Sequence, residues 1–429
     1  MRERLALALW GWAMRLATPA LLARWWWRGR QEPGYRHAMV ERLGFYACAP
    51  QAGCLWLHAV SLGETRAAAP LLAALRAQDP GLRLLLTHTT ATGREAGLEL
   101  LREGDAQTWL PLDTPGAVRR FLRHWRPQAG VLMETEVWPS LQAAALAEGV
   151  PMVLANARLS ERSLRRGERL RGLLRPAAQR LTLALAQTDD DAARLRLMGV
   201  PHVQTVGHLK FDIRPDAGLL ARGRVWRAGL RRPVLLLAVS REGEEAALLD
   251  ALAPWQGRPL PAHVLVVPRH PQRFDEVARL LSASGRSLSR RSTWGEGPDA
   301  GAELWLGDSL REMPLYYGLA DVALLGGSFE PLGGQNLIEA AACGCPLLMG
   351  PHTFNFTQAA EMAEAAGAAR RVGSMSEAIQ AASGLLHNEK ARVAMANAGF
   401  GFAEQHRGAA ERMAAAVMAT ITRRCGTPA

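Results

Sequence analysis

Cysteine is scarce in this chain of 429 residues. Its five cysteines are odd in number and scattered, so they form no disulfide framework. Cys343 and Cys345 are close in sequence but lack a second ligand pair, which argues against a zinc site. We expect reduced, mostly buried thiols in a cytosolic compartment.

Lysine is scarcer still, with Lys210 and Lys390 the only lysines among 51 basic side chains. Where arginine is the default cation, a retained lysine indicates a position that needs a compact ammonium group. Lys390 lies in a charged run typical of a solvated helix face. Lys210, in the segment VGHLKFD, follows a predicted strand, and we consider it a candidate for neutralising a carboxylate or phosphate.

Low-complexity tracts are missing too. The hydrophobic fraction of 48% and charged fraction of 21% indicate a globular protein rather than a disordered one. The length exceeds one ordinary core, so two domains are expected.

No uninterrupted apolar run reaches the roughly 20 residues that cross a bilayer. Near the N-terminus, residues 5–14 and 16–23 are apolar, but Arg15 separates them. The absence of a small-residue cleavage site argues against a removable signal peptide. The tryptophans at 25–27, followed by Arg28 and Arg30, are typical of a membrane interface. We expect residues 1–30 to form a monotopic or short membrane anchor, with a single-pass anchor left open and the protein body in the cytoplasm.

The positive charge is concentrated. Residues 1–45 hold eight arginines and three acids, and residues 160–180 hold seven arginines and two glutamates, a net +5 in each against +11 for the chain. Such stretches suit phospholipid headgroups, a phosphorylated lipid or nucleic acid. Arginines that merely decorate solvated helices are the alternative.

Past residue 50, short apolar runs alternate with helical patterns, which predicts parallel sheets covered on both faces. The predicted strands are 55–60, 82–87, 107–110, 129–133, 152–155, 181–186, 203–206, 233–239, 263–267, 303–306, 321–325 and 346–349.

Two segments, LWLHAVSLGETRAAAPLLAAL and VLLLAVSREGEEAALLDALA, share a strand, Ala-Val-Ser, a Gly-Glu turn and a helix. Each would begin its own doubly wound domain. The chain is thus predicted to be α/β with GT-B architecture: two Rossmann-like domains facing a cleft and an N-terminal membrane-associated helix. We place an acceptor domain at 31–210, a linker at 211–232 and a nucleotide-sugar domain at 233–429.

Three carboxylates follow strands of the first domain, where ligands of open α/β sheets bind. Glu64, in the first turn of a helix, suits a general base or equally an N-terminal cap. Glu134 and Glu136, two apart in METEVWPSL, point to one face and are either used chemically or paired with arginine.

The second domain carries features of a nucleotide site. Arg269, His270 and Arg273 follow one strand, where a phosphate would bind. Gly326, Gly327 and Ser328 follow another strand, and a second glycine pair precedes a helix that begins with Asn336 and carries Glu339. Glycines allow close backbone approach, helix N-termini bind anions, and Glu339 could accept hydrogen bonds from ribose hydroxyls.

Seven segments together resemble the 3-deoxy-D-manno-octulosonic acid (Kdo) transferase family of lipopolysaccharide biosynthesis. They are WLHAVSLGE, METEVWPSL, LANARLSERS, GHLKFD, VLVVPRHPQRF, GGSFEPLGGQNLIEAA and LMGPHTFNF, in the family's order. The resemblance implies an inverting, metal-independent GT-B glycosyltransferase. Its donor would be CMP-Kdo and its acceptor a phosphorylated lipid A precursor at the cytoplasmic face of the cell inner membrane.

The resemblance also implies residue roles, with no cofactor, no metal and no nucleic-acid partner. Glu64 would accept the proton of the acceptor hydroxyl, and Glu134 and Lys210 would support the transition state. The residues that would hold CMP are Pro268, Arg269, Leu310, Arg311, Glu312, Gly326, Gly327, Ser328, Asn336, Leu337, Ile338 and Glu339.

Three positions depart from the family pattern. Arg311 stands where a small residue, commonly Gly, is expected, Gln335 replaces a His, and Arg241 interrupts a Thr-His pair. A GT-B transferase with another nucleotide sugar, such as a UDP-hexose, is the first alternative. A non-enzymatic protein that binds nucleotides or anionic lipids is the second.

Overall fold

A computed structural model describes residues 2–50, 52–212 and 214–425. The chain divides into two compact units. Unit 1 comprises residues 1–212 and 408–429, and unit 2 comprises residues 213–407.

Unit 1 is built on a seven-stranded parallel sheet of order β3-β2-β1-β4-β5-β6-β7. Its strands are β1 (Leu55–His58), β2 (Leu84–His88), β3 (Ala106–Trp109), β4 (Ala129–Met133), β5 (Met152–Ala157), β6 (Leu183–Ala186) and β7 (Val203–Thr205). Its helices are α1 (Arg2–Arg28), α2 (Leu62–Gln78), α3 (Ala91–Gly97), α4 (Pro115–Trp125), α5 (Pro139–Ala147), α6 (Glu161–Arg169), α7 (Arg171–Gln179), α8 (Asp189–Met198) and, from the far end of the chain, α17 (Ala409–Cys425).

Unit 2 repeats the plan with the order β10-β11-β9-β8-β12-β13-β14, again all parallel. Its strands are β8 (Val234–Ser240), β9 (His263–Pro268), β10 (Leu288–Arg290), β11 (Leu304–Leu306), β12 (Val322–Leu325), β13 (Leu347–Met349) and β14 (Ala369–Arg371). Its helices are α9 (Ala217–Ala228), α10 (Glu244–Ala251), α11 (Phe274–Ala283), α12 (Met313–Leu319), α13 (Leu337–Ala342), α14 (Thr357–Ala365), α15 (Met375–His387) and α16 (Glu389–His406).

Both faces of the unit 1 sheet are covered. In β1, Trp56 joins the core on one face while Leu55 and Leu57 join the core on the other, as the alternation of a strand requires. Every residue of β1 is buried, which explains why the strand reads as a continuous apolar run. The prediction of parallel sheets with helices on both faces is confirmed.

The helices that follow the strands begin with hydroxyl caps. Ser61, Thr90, Thr114, Ser160 and Thr188 each accept a hydrogen bond from a backbone N–H in the first turn of α2, α3, α4, α6 and α8. Such caps satisfy amides that have no partner within the helix. They fix where each helix begins at the carboxyl edge of the sheet.

Helix α17 belongs to unit 1, although the sequence placed residues 233–429 together in the second domain. Its apolar face, with Met413, Val417 and Ile421, packs into the core that contains Leu55 and Leu71. Asp212 accepts hydrogen bonds from the backbone N–H groups of Gly408 and Ala410 and so caps this helix.

The segment predicted as a linker, 211–232, contains a packed helix instead. Helix α9 lies against α12, and a β-carbon added at Gly223 would stand 2.2 Å from the carbonyl oxygen of Leu315. The absence of a side chain at Gly223 lets the two helices approach closely. Strands β10 and β14 are also additional to those predicted.

Candidate active site

The predicted catalytic residues of unit 1 lie at the carboxyl edge of its sheet. Glu64 follows β1 and Glu134 follows β4, and these two strands are hydrogen-bonded neighbours. Lys210 follows β7 at the end of the same sheet. The fold therefore places all three on the edge at which open α/β sheets bind ligands.

Glu64 has the geometry of a helix cap. The backbone N–H of Val60 donates to Glu64 Oε2 at 2.8 Å, and the Ser61 hydroxyl donates to Oε1 at 3.3 Å. In return, the Glu64 N–H donates to Ser61 Oγ at 3.4 Å. This reciprocal arrangement resembles a capping box, so the cap interpretation describes a real structural role.

The same carboxylate has an altered acidity. Burial raises the pKa of Glu64 to about 7, with the charges of Glu134 and Glu136 adding to the effect and the Val60 N–H opposing it. A carboxylate with a pKa near the working pH can both accept and release a proton. The cap thus holds in place a group that is suited to general-base chemistry.

Glu134 is held in an unusual backbone conformation, with φ at +61°. Its N–H donates to the Ala155 carbonyl at 2.9 Å, and its own carbonyl accepts the Arg158 N–H at 3.4 Å. Side chains other than glycine rarely occupy this left-handed region, and such residues cluster at functional sites. β5 therefore fixes the backbone from which the Glu134 carboxylate projects.

Neither Glu134 nor Glu136 forms an ion pair with an arginine or lysine among the described residues, so the structure does not favour the paired alternative. Burial raises the pKa of Glu136, and the charge of Glu134 adds to that shift. The two carboxylates and Glu64 influence one another electrostatically because they are close enough for their charges to interact.

Lys210 lies in a single 3₁₀ turn, Leu209–Phe211, with an exposed side chain. Its backbone N–H donates to His208 Nδ1 at 3.0 Å, and the Leu209 N–H donates to Asn156 Oδ1 at 3.2 Å. Burial, together with the positive charges of Lys210 and Arg158, lowers the pKa of His208 to about 4. His208 is therefore a neutral imidazole that fixes the turn carrying the lysine.

The sequence did not reveal what His208 and Asp212 do. Asp212 ends the VGHLKFD segment, and its carboxylate caps α17. Arg412 of that helix donates from Nε and Nη2 to the Val206 carbonyl at 3.1 and 2.9 Å. A helix almost 200 residues away thus supports the Lys210 turn, and no local pattern could have indicated this.

In unit 2, Glu244 organises the glycine-rich loop after β12. It is fully buried, and its carboxylate accepts the N–H groups of Arg241, Gly327 and Phe329 at 2.9, 2.7 and 3.1 Å. Burial raises the pKa of Glu244, and these three hydrogen bonds oppose the shift. Glu244 is the counterpart of Glu64 in the repeated strand–turn–helix segment, but here the carboxylate is saturated by protein donors.

The loop itself needs its glycines. A β-carbon on Gly326 would lie 2.4 Å from the Val239 carbonyl oxygen, and Gly327 has φ at +69°. Ser328 is fully buried, and its hydroxyl donates to the Leu325 carbonyl and accepts the Gly350 N–H at 2.8 Å. The Ser328 side chain is therefore used within the protein, and only the glycine backbone remains to contact a ligand.

Asn336 caps α13, because its Oδ1 accepts the Ile338 N–H at 3.1 Å. The side chains of Leu337 and Ile338 are buried, so these two can offer a ligand only their backbone. Burial raises the pKa of Glu339, and no hydrogen bond or ion pair reaches its carboxylate from the described residues. Glu339 is accordingly placed to accept hydrogen bonds from outside the protein.

In the turn from Leu310 to Glu312, the first two residues are exposed and the third is held by arginines. Leu310 is exposed, and Arg311 has φ at +62°, which explains why a glycine is the expected residue there. Glu312 accepts hydrogen bonds from Arg222 and Arg291, both at 2.9 Å. Burial acts to raise the pKa of Glu312, but hydrogen bonds from Ser309 and Arg291 outweigh it and hold this pKa below its usual range.

One of the three basic residues that follow β9, and that were predicted to bind a phosphate, is held by the protein. Pro268 ends the strand, and Arg269 is exposed with its N–H donating to the Ser240 carbonyl at 3.0 Å. Arg273 instead donates to both oxygens of buried Glu245 at 2.8 and 3.1 Å, and is thereby committed to the protein. The other two departures flank the loop: Gln335 lies beside Gly327, and Arg241 donates to Glu242.

Three of the four arginines of α6 form a basic cluster, defined here as Arg162, Arg166 and Arg169. None of the three has an ion-pair partner in the part of the chain that the structure describes. They line a surface cavity of about 600 Å³ together with Ser160, Glu161 and Arg165. Unpaired guanidinium groups at a concave surface are suited to bind phosphate.

Helix α1 is long and apolar enough, over Glu3–Arg28, to cross a membrane by length and composition, with a mean hydropathy of 1.4. Arg15 does not interrupt the helix, which continues to Arg28. Of the thiols, Cys48 is exposed, Cys54, Cys343 and Cys345 are buried, and the side chain of Cys425 lies outside the described residues. Within the described ranges, no group of three or more His, Cys, Asp or Glu side chains is placed to hold a metal ion.

Comparison with known proteins gives a consistent picture. The sequence profile described as "3-Deoxy-D-manno-octulosonic-acid transferase (kdotransferase)" matches residues 37–213. The chain is 47% identical to the 3-deoxy-D-manno-octulosonic acid transferase of Bordetella pertussis over 93% of this chain and 96% of that protein. It is 33% identical to the transferase of the same name from Haemophilus influenzae, over 89% of this chain and 91% of that one.

Among solved structures, a glycosyltransferase from Rickettsia africae aligns with a TM-score of 0.53 at 11% identity. The alignment covers 88% of this chain and all of that one. At this identity the likeness concerns the fold alone, and it agrees with two Rossmann-like units of GT-B type.

Proposed function

The chain belongs to the Kdo transferase family and is a glycosyltransferase, and on that premise we propose that it moves Kdo from CMP-Kdo to a phosphorylated lipid A precursor. The reaction inverts the anomeric configuration, and Glu64 is its general base. Unit 1 binds the acceptor, and unit 2 binds the CMP portion of the donor.

The observation that carries this proposal is that Glu64 is held in place by a hydrogen bond and has a raised pKa. Its carboxylate is fixed by the Val60 N–H at 2.8 Å, and burial raises its pKa to about 7. The acceptor hydroxyl gives its proton to Glu64 as its oxygen attacks the anomeric carbon of Kdo. The bond from that carbon to the CMP phosphate breaks on the opposite face, so the phosphate leaves with the electron pair.

Charged side chains support both the proton transfer to Glu64 and the departure of the CMP phosphate. The Glu134 carboxylate helps keep the pKa of Glu64 high enough to accept a proton. The exposed ammonium of Lys210 neutralises negative charge on the donor, and guanidinium groups such as Arg269 offset charge on the departing phosphate. These cations can stabilise the phosphate without a metal ion, so we expect activity in the presence of a chelator.

The donor nucleotide binds in unit 2 along the loop that Glu244 organises. The backbone of Gly326 and Gly327 allows close approach of the nucleotide. The carboxylate of Glu339, which makes no hydrogen bond or ion pair with a described residue, accepts hydrogen bonds from the ribose hydroxyls. The segment Leu310–Glu312 and the Asn336 cap complete the contacts to CMP.

The acceptor is an anionic lipid, and the basic cluster of α6 suits its phosphates. We place the protein at the cytoplasmic face of the inner membrane, with α1 as its attachment. No nucleic acid takes part.

Mass spectrometry of the products tests the proposal directly. Purified full-length protein is incubated with CMP-Kdo and a tetraacylated, bisphosphorylated lipid A precursor, with and without EDTA. We expect a lipid product heavier by one or more Kdo residues in both conditions, and none with UDP-hexoses as donors. Absence of a Kdo-containing lipid, or transfer from UDP-hexoses instead, would refute the assignment.

A further inference from the structure

Helix α1 is fastened to unit 1 near its beginning, in its middle and near its end. At the start, Glu3 forms an ion pair with Arg180. In the middle, Trp10 Nε1 donates to Asp113 Oδ2 at 2.6 Å. The end of the helix is held by Trp25 and a buried cation, described below.

The contact at Trp25 is an aromatic sandwich. The guanidinium carbon of Arg42 lies 4.0 Å from the centre of the Trp25 ring and 3.8 Å from that of Trp109. Arg42 is fully buried, and burial lowers its pKa to about 9. Moving Trp25 away would leave one side of a buried cation without its aromatic partner.

The middle contact, between Trp10 and Asp113, also involves a buried charged group. Asp113 is buried and also accepts the backbone N–H groups of Ser140 and Leu141, at 3.1 and 2.8 Å. Burial raises the pKa of Asp113, and the indole N–H of Trp10 opposes that shift. A helix rises about 1.5 Å per residue, so contacts from Glu3 to Trp25 fasten α1 along roughly 33 Å of unit 1.

The opposite face of α1 carries an apolar stripe, defined as Leu5, Leu9, Trp12 and Leu16. Their spacing of four, three and four residues puts them on one side of the helix. Their exposed fractions are 60, 61, 60 and 78%, so no other part of the described chain covers them. Trp26 and Trp27 are also exposed at the end of the helix.

Arginines border this stripe as they border helices that lie at membrane surfaces. The Arg15 guanidinium lies 5.1 Å from the Trp12 ring, and that of Arg30 lies 5.1 Å from the Trp27 ring. An apolar stripe with flanking arginines and terminal tryptophans matches the boundary between headgroups and acyl chains of an anionic leaflet.

We propose that α1 lies in the plane of the membrane, with its stripe inserted into one leaflet, and does not cross the bilayer. This inference deepens the membrane location in the proposed function and rests on it. A crossing helix would either abandon the Asp113 and Arg42 contacts or carry α7, against which α1 packs, into the hydrocarbon. Arg171 of α7 is exposed, and a charged side chain at the bilayer centre is strongly unfavourable.

Thiol labelling distinguishes the two orientations in the full-length chain. In a Cys48→Ser, Cys425→Ser background, Arg4→Cys marks the beginning of α1 and Gln31→Cys marks the segment after it. Right-side-out spheroplasts are treated with a membrane-impermeant maleimide before and after lysis. We expect neither cysteine to react before lysis and both to react after it. Reaction of Arg4→Cys in intact spheroplasts, or its failure to react even after lysis, would overturn the in-plane arrangement.

A second measurement examines the stripe. A Leu9→Glu, Leu16→Glu variant and the wild-type chain are mixed with vesicles of phosphatidylethanolamine and phosphatidylglycerol. Partitioning of the variant should fall at least tenfold, whereas Val225→Glu, at an exposed position of α9, should leave it unchanged. Unchanged partitioning of the double variant would refute the leaflet contact.

Failure of the in-plane arrangement can be distinguished from failure of the proposed Kdo transfer. Kdo transfer to a detergent-dispersed acceptor reports on the chemistry alone, so its persistence with a failed partitioning result would refute only the in-plane helix. Light scattering of lipid-free protein tests whether the apolar stripe binds a second copy of the chain instead of a membrane. In that case the wild type would dimerise and the Leu9→Glu, Leu16→Glu variant would not. That result would also contradict the proposal.

Discussion

Val60 donates its backbone N–H to the carboxylate of Glu64 at 2.8 Å, and this bond joins the end of β1 to the first turn of α2. Glutamine can accept the same hydrogen bond through its amide oxygen but cannot accept a proton at neutral pH. Glu64→Gln should therefore keep the fold and lower kcat for Kdo transfer by about 10²–10⁴-fold. Near-wild-type kcat in this variant would eliminate Glu64 as the base.

Glu64→Gln should also stabilise the protein at alkaline pH. The folded-state pKa of Glu64 is about 7 against an ordinary value of 4.5, so the folded state binds the proton more tightly. The wild type consequently loses stability as pH rises from about 4.5 to 7, and the variant does not. Urea unfolding at pH 8 should show the variant to be more stable by about 1–2 kcal/mol, with the difference vanishing below pH 4.5.

Glu244→Gln is the matched control for that prediction. The Glu244 carboxylate accepts three backbone N–H groups, and an amide cannot accept all three. We expect a loss of about 1–3 kcal/mol in unfolding free energy, which is opposite in sign to the effect at Glu64. If both variants shift stability in the same direction at pH 8, the difference drawn between the two carboxylates is wrong.

The pH dependence of kcat/KM should carry an acidic limb near pH 7, because Glu64 must be ionised to accept the proton. Glu134→Gln removes a negative charge that raises the pKa of Glu64, so the limb should move to lower pH. His208→Asn should leave the limb in place, since the pKa of His208, at about 4, lies below the assay range. A limb that moves with His208 rather than Glu134 would contradict this assignment.

Arg311→Gly should raise the melting temperature. Arg311 has φ at +62°, and its side chain makes no hydrogen bond or ion pair with a described residue. Relief of the left-handed strain should contribute about 1 kcal/mol, offset in part by the greater freedom of glycine in the unfolded chain. Leu310→Gly, one residue away and without positive φ, should lower the melting temperature. Calorimetry that ranks the two variants the other way would count against strain at Arg311.

Reversing the charges of the basic cluster tests acceptor binding. The triple variant Arg162→Glu, Arg166→Glu, Arg169→Glu should raise KM for the phosphorylated acceptor at least tenfold, with little change in KM for CMP-Kdo. A control triple variant reverses exposed arginines of unit 2, namely Arg231, Arg258 and Arg370. Equal acceptor KM values for the two triple variants would contradict the proposal, because they would show that the position of the reversed arginines does not affect acceptor binding.

Much of this architecture could be predicted from the sequence because buried parallel strands carry a strong local pattern. β1 and β8 are continuous apolar runs followed by Ser-initiated or Gly-initiated helices, and both were located to within two residues. The strands β10 and β14 were missed because each has three residues of which only the first is apolar, so neither shows an apolar run or an alternation.

The candidate site likewise has features that the sequence predicts and features that it does not. Positions after strands were predictable, which is why Glu64, Glu134 and Lys210 were identified and lie on one edge of one sheet. Pairings between distant segments were not predictable, so Arg273 was expected to be available for a phosphate although Glu245 holds it. The charge environment of Glu64 likewise depends on Glu134, 70 residues later, and only the folded sheet brings them together.

Helix α17 has a consequence for the order in which the protein forms. Unit 2 is one continuous segment and can complete its core as soon as residue 407 has left the ribosome. Unit 1 is made earlier but must wait, because Met413 and Val417 fill its core and Gly408 docks onto Asp212. The lysine turn is therefore finished last, and a nascent chain cut short before α17 would present a complete nucleotide unit beside an unfinished acceptor unit.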